Sequence, residues 1–140
     1  MRKFEFRLAK VREFRHAVEE QMKAEWQEVQ RRVAEAEDIL KRQNHQLHCT
    51  KTEPATSLID LKNREAVIQK LWDDISAQEA IIAIIQHDEE EARLAWLESK
   101  KEAKALDALY DQARAEYDLS VVRHEQAELD EWSTMRRKAA

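Results

Sequence analysis

The sequence predicts an all-α protein in which two long helices form an antiparallel coiled-coil hairpin, with the second helix longer and overhanging. The 140 residues contain no glycine and one proline, Pro54, and apolar residues recur at steps of three and four on both sides of it. Ala, Glu, Lys, Leu and Arg dominate the composition, as is typical of long helices. Because glycine supplies the turns of β-hairpins and the backbone of phosphate-binding loops, its absence argues against β folds and excludes those loops.

The first helix is predicted from about residue 4 to about residue 48. One apolar stripe runs along this segment, which is the pattern of a helix with one face buried. Its members are Leu8, Val11, Val18, Met22, Trp26, Val29, Val33, Ala36, Leu40 and Leu47.

A turn is predicted over residues 49–56, because this stretch is polar and contains Pro54. Ser57 and Asp60 resemble a capping box, so the second helix is expected to run from about residue 57 to about residue 135. Its apolar residues follow an almost pure heptad pattern from Ile82 onward. They are Ile82, Ile85, Ala92, Trp96, Ala103, Leu106, Tyr110, Ala113 and Tyr117.

Folding back at this turn places Met22 near Ile84 and Val29 near Ala77. In that register the first helix is used up near residue 100, and the stripe from Ala103 onward has no partner in the same chain. A lone amphipathic helix is marginal in water, so we expect the overhang to bind another molecule. The alternative is a kink that folds it back, although no glycine or proline follows Pro54 to cause one.

Four isoleucines at positions 81, 82, 84 and 85 cover a wider arc than the interface between two helices needs. They form either a locally broader core, covered by Met22 or Trp26, or an exposed patch that contacts a partner.

The charge balance gives no general attraction to nucleic acid. The chain has 24 basic and 29 acidic residues, for a net charge of −5. The basic start, with Phe4, Phe6 and Phe14 interleaved, favours a protein docking site over nucleic-acid or membrane-surface binding. Apolar runs are too short for membrane insertion, and we expect no signal peptide and a cytoplasmic location. One cysteine allows no internal disulfide.

No residue pattern indicates catalysis, a cofactor or a metal, so we expect a protein that is not an enzyme. His45, His48 and Cys49 could ligate zinc, but a structural site needs four ligands and no second cluster exists. The sequence from His124 to Glu128 is close to the H-E-x-x-H motif, but Glu128 replaces its second histidine.

Two segments carry a resemblance to a known family. The first is the N-terminal string Lys3-Phe4-Glu5-Phe6-Arg7-Leu8, followed by Arg15 and Glu19. The second begins at Trp96, continues through Lys100-Lys101 and Lys104-Ala105-Leu106, and ends in Glu125-Gln126-Ala127-Glu128-Leu129-Asp130-Glu131. Together they resemble the FliJ family, small coiled-coil proteins of the bacterial flagellar protein-export apparatus.

The resemblance implies a stalk, similar to that of rotary ATPases, which docks in the hexameric export ATPase and promotes its assembly and activity. It also implies contact with the membrane export gate and with export chaperones, and a location at the inner face of the cell membrane. The implied partner-binding residues are Phe4, Phe6, Arg7, Leu8, Trp96, Lys101, Leu106, Tyr110, Tyr117, Gln126, Asp130 and Glu131. The implied gate contacts are Val67, Leu71 and Gln78.

Two alternatives remain open. The virulence type III secretion stalk is a relative that heptads alone do not separate from the flagellar protein. A structural or dimerising coiled-coil tether would instead form a long homodimer, stable alone and indifferent to any ATPase.

Overall fold

The computed structural model describes residues 2–139. Helix α1 spans Ala9–Thr52 and helix α2 spans Leu58–Ala139, and no strand occurs within the described range. The predicted all-α fold of two helices, the second much longer, is therefore confirmed. The contacts divide the chain into two units. The turn unit is Gln21–Trp96, and the terminal unit joins the segment ending at Glu20 to the segment beginning at Leu97.

The connection between the helices is held by side chains that cap their ends. The Ser57 hydroxyl accepts a hydrogen bond from the Asp60 amide at 3.1 Å, so Ser57 is the N-cap that the sequence predicts. The Asp60 carboxylate accepts from the Thr56 hydroxyl at 2.6 Å, and this bond lowers the pKa of Asp60. Arg64 donates to the Glu53 carbonyl at 2.6 Å, which ties α2 to the end of α1.

The core of the turn unit is a narrow band between the two helices. Leu47 of α1 packs with Leu71 and Ile75 of α2, and Leu40 and Ile68 cover the edges of this cluster. These positions follow the three-and-four spacing of each stripe, so hydrophobic burial along one face holds the unit together.

Two further contacts fix how the helices pair in the turn unit. The buried Gln78 side chain donates to the Ala36 carbonyl at 3.0 Å. The rings of Trp26 and Trp96 stack with centroids 5.1 Å apart and planes 16° from parallel. A polar side chain buried among apolar ones favours one alignment, because any shift leaves its amide without a partner.

The predicted register was wrong. It placed Met22 near Ile84 and Val29 near Ala77, whereas Gln78 lies against Ala36, a displacement of about two helical turns. Part of the reason is that α1 continues to Thr52, about one turn beyond its predicted end, so the turn comes later in the sequence.

The first residues of the terminal unit are not helical, which corrects the predicted helix start near residue 4. Residues 2–6 are irregular, a turn follows, and α1 begins at Ala9, whose amide donates to the Phe6 carbonyl at 3.1 Å. Phe4, Phe6 and Leu8 alternate with charged residues, and each is half-buried while its neighbours are exposed. That period of two suits an extended chain with one apolar side rather than a helix.

The predicted start of the overhang near residue 100 was also wrong. Ala103 is only 1% exposed, and α2 keeps contacts with the rest of the terminal unit as far as Tyr117. The stripe from Ala103 to Tyr117 is therefore covered by the same chain. Residues 122–139 are all exposed, so the uncovered part of α2 begins about six turns later than predicted. The helix is continuous through this region, without the alternative kink.

Candidate partner-binding surfaces

An aromatic cluster joins the N-terminal residues to α2 in the terminal unit. We call residues 2–8 the strap. Phe4 and Phe6 meet Tyr110 edge-on, with centroids 5.7 and 5.4 Å away, and Phe4 also contacts Tyr117 at 5.3 Å. The Tyr117 hydroxyl donates to the Arg2 carbonyl at 2.7 Å. Edge-to-face pairs are a favoured aromatic geometry, and four of the predicted partner-binding residues contact one another in this way or in a tilted arrangement.

Two arginines complete this cluster from outside. The Arg12 guanidinium lies 4.4 Å from the Tyr110 ring centre, and Arg114 lies 4.9 Å from Phe4 and 5.6 Å from Tyr117. A cation over an aromatic face is attracted by the electrons of the ring. The cluster therefore presents positive charge at its rim over an apolar interior.

Below the strap, ion pairs join α1 to α2. Asp107 accepts hydrogen bonds from His16 at 2.7 Å and Arg12 at 2.8 Å, and Arg15 pairs with Glu102 at 2.5 Å. The bonds from His16 and Arg12 lower the pKa of Asp107. These side chains are more than a third exposed, so each pair adds little free energy and chiefly orients the helices.

The exposed end of α2, residues 122–139, carries large apolar side chains that contact no core. Val122 is 55% exposed, Leu129 63%, Trp132 58% and Met135 64%. The Arg136 guanidinium lies 5.2 Å from the Trp132 ring centre. Several exposed apolar residues along one helix end, flanked by charges, are typical of a protein-binding surface.

The other predicted partner-binding residues are spread over both units. Leu8 and Leu106 are half-buried in the terminal unit, and Trp96 belongs to the tryptophan stack of the turn unit. The exposed ones are Arg7, Lys101, Gln126, Asp130 and Glu131.

Sequence reasoning missed two sets of residues. Trp132 and Met135 lie beyond the predicted stripe, which ends at Tyr117. Val122 and Leu129 are seven residues apart but lie on a different face of α2 from Tyr117, so the stripe does not lead to them. Asp107 and its partners on α1 were missed because the wrong register did not bring them together.

The predicted gate contacts divide into one exposed and two buried residues. Val67 is 45% exposed, while Leu71 and Gln78 are 6% and 9% exposed and belong to the core of the turn unit. Of the four isoleucines, Ile81 and Ile84 are 47% and 64% exposed, which favours the exposed-patch alternative for these two.

Possible metal ligands do not assemble into a site within residues 2–139, where no group of three or more histidine, cysteine, aspartate or glutamate side chains converges. His45 Nε2 lies 3.5 Å from the exposed Cys49 Sγ, and His124 pairs with Glu128 at 3.1 Å. In the same range, neither helix has the length and apolarity that crossing a bilayer requires.

The fold and these surfaces define a two-helix hairpin protein with exposed apolar and charged helix faces. Residues 4–139 match the family model described as "Flagellar FliJ protein". The chain belongs to the FliJ family and is therefore related to flagellar protein export. Searches of curated proteins and of solved structures found no match.

Proposed function

We propose that the chain is a non-enzymatic stalk that docks in the ring of the flagellar export ATPase and promotes the assembly and activity of that ring. It also links the ATPase to the membrane export gate and to substrate chaperones. Family membership supports the setting, and the exposed end of α2 supports the docking.

One observation supports the proposed contact with the ATPase most directly. Residues 122–139 are helical and exposed, and Val122, Leu129 and Trp132 are each more than half exposed, with Arg136 beside the Trp132 ring. Burying such side chains contributes about 1.5–3 kcal/mol each, enough for a few of them to hold a specific complex. The exposed polar residues Gln126 and Asp130 lie on the same segment and would provide the rim.

The test is ATP hydrolysis by the cognate export ATPase, titrated with this chain. We expect saturable stimulation that disappears when residues 122–139 are removed. The cut after Val121 keeps every contact of the strap and of Asp107, so the rest of the fold should persist by circular dichroism.

A matched pair of tryptophans gives the sharpest control. Trp132 is 58% exposed with Arg136 over its ring, and Trp72 is 50% exposed with Lys51 at 4.9 Å over its ring. Trp132→Ala should weaken ATPase stimulation about tenfold or more, as expected for an anchoring aromatic residue. Trp72→Ala should leave stimulation unchanged. Equal losses in both variants would contradict an ATPase contact on residues 122–139.

The gate contact is proposed for the exposed side of the turn unit around Val67. Because Leu71 and Gln78 are buried, Val67 is the predicted gate residue that offers accessible surface. Val67→Asp should abolish binding to the cytoplasmic part of the gate protein while leaving ATPase stimulation intact. Retention of gate binding would remove this residue from the interface.

The tether alternative predicts the opposite pattern. A chain that neither stimulates nor co-elutes with the ATPase, and that forms a homodimer by light scattering, would replace the proposed function with a structural role.

A further inference from the structure

We propose that the exposed end of α2, residues 122–139, pairs with the same segment of a second copy of this chain. The two helix ends run antiparallel and form a short coiled coil about a two-fold axis. This inference goes beyond the proposed function and does not rest on it, because its readout is the oligomeric state of the chain alone.

One stripe of residues on this segment has the spacing of a coiled-coil interface. Its members Val122, Glu125, Leu129, Trp132 and Arg136 follow one another at alternating steps of three and four residues. At about 100° per residue they lie within about 80° of the helix circumference. Val122, Leu129 and Trp132 are each more than half exposed, so a second helix can reach all three.

The stripe is complementary to itself when two copies run antiparallel. An alignment that sets Leu129 opposite Trp132 of the second copy also sets Glu125 opposite Arg136 of that copy. Both pairs form in one alignment because they are centred on the same point, between residues 130 and 131. Two-fold symmetry then makes each contact twice, once from each chain. The apolar contacts lie at the middle of the aligned segment, and the charged contacts lie on either side of them.

The charges on the stripe favour this orientation over the parallel one. A parallel pair in register would set Glu125 against Glu125 and Arg136 against Arg136, and like charges placed together are destabilising. Neither Glu125 nor Arg136 makes an ion pair within residues 2–139, so both charges can pair with a second copy. The Arg136 guanidinium lies 5.2 Å from the Trp132 ring centre, which places it beside the apolar part of the stripe.

The strap does not block this pairing. Val122 lies about 140° around α2 from Tyr117, so the stripe is on a different face from the one that Phe4 covers. A second copy therefore displaces no contact of the strap. The stripe also contains Trp132, which is proposed above to contact the ATPase, so pairing and docking through this segment exclude one another.

The test is the oligomeric state of the full-length chain, measured by sedimentation equilibrium. Cys49 is exposed and is first replaced by serine, so that no disulfide can join two copies. We expect a reversible equilibrium between monomer and dimer at concentrations below about 100 μM. Trp132→Ala should raise the dissociation constant of the dimer about tenfold or more, because the dimer uses this side chain twice. Trp72→Ala removes a tryptophan that is 50% exposed in the turn unit and should leave the constant unchanged.

Reversing the charges tests the alignment. Glu125→Arg and Arg136→Glu each set like charges together at two places, so each should raise the dissociation constant about tenfold or more. The chain with both substitutions keeps the composition and net charge of the original, and it restores opposite charges only in the antiparallel pair. We expect this double variant to dimerise as the Cys49→Ser chain does, with the same helix content by circular dichroism.

A Cys49→Ser chain that stays monomeric at about 100 μM would overturn the proposal. A dimer that both single reversals leave intact, or that the double variant does not restore, would overturn it as well, because the contact would then lie elsewhere. ATPase stimulation is a separate readout. A chain that dimerises as described but does not stimulate the ATPase contradicts the proposed function and leaves this inference standing.

Discussion

Replacing Leu71 by alanine tests whether this residue belongs to the core or to a surface contact. Leu71 is 6% exposed and packs with Leu47 and Ile75, so its truncation removes apolar contacts and leaves a cavity. Leucine-to-alanine changes in cores cost about 2–5 kcal/mol, depending on how well the site relaxes. Here Leu40 and Ile68 are partly exposed and can move inward, so we expect a cost of about 2–3 kcal/mol.

The assay is urea unfolding followed by the helical circular dichroism signal. With a denaturant slope of about 2 kcal/mol per molar, the midpoint of the Leu71→Ala chain should fall by about 1 M or slightly more. The control is Val67→Ala, one helical turn away on the same helix. Because Val67 is 45% exposed, its truncation should change stability by no more than about 0.5 kcal/mol.

The comparison separates stability from gate binding. Equal midpoints for the two variants would refute the assignment of Leu71 to the core and return it to the surface. A Leu71→Ala chain that loses gate binding should recover it under conditions that restore its fold, whereas Val67→Asp should not.

Three further predictions concern polar contacts. Gln78→Leu should raise the midpoint of urea unfolding by up to about 0.5 M. The reason is that the Ala36 carbonyl keeps its hydrogen bond within the helix, while an apolar side chain fills the interface. A lower midpoint would contradict this prediction. The hydrogen bonds that Asp107 accepts from α1 lower its pKa, so their stabilisation is full above the ordinary aspartate pKa and lost as the pH falls through the lower, folded value. Asp107→Asn should therefore flatten the fall in thermal stability below about pH 4, and an unchanged profile would exclude this cause. Tyr117→Phe removes the hydrogen bond to the Arg2 carbonyl and should weaken the contact between the strap and α2 by about 1 kcal/mol without changing helix content. The proton NMR shifts of the Phe4 ring should change as this contact loosens, and identical shifts in both chains would contradict the prediction.

Composition and periodicity were enough to predict the two helices, because the absence of glycine and the heptad stripes act locally. The cap at Ser57 followed from the same local chemistry. Register did not follow, because it depends on where α1 ends and on a buried hydrogen bond such as that of Gln78. Apolar spacing alone fits several registers that differ by whole heptads.

The strap shows why the binding surface was harder to predict than the fold. Phe4, Phe6 and Leu8 alternate with charges, a period of two that indicates an extended chain, whereas the predicted helix begins near residue 4. Once they leave the helix, they can reach Tyr110 and cover the stripe. The residues named from resemblance include both sides of this contact, although sequence alone gave no reason for them to meet.

The exposed end of α2 also has a thermodynamic consequence. Helices of this length without packing are marginal in water, and the described side-chain support here is local, such as the pairing of His124 with Glu128. We expect amide hydrogens in residues 122–139 to exchange with solvent far faster than those around Leu71. Docking would then order this segment as it binds, with a negative heat-capacity change and an entropic cost. Affinity would thus depend on helix propensity as well as on contacts, so an Ala127→Gly change, which removes only one methyl group, should weaken binding chiefly by lowering helix propensity.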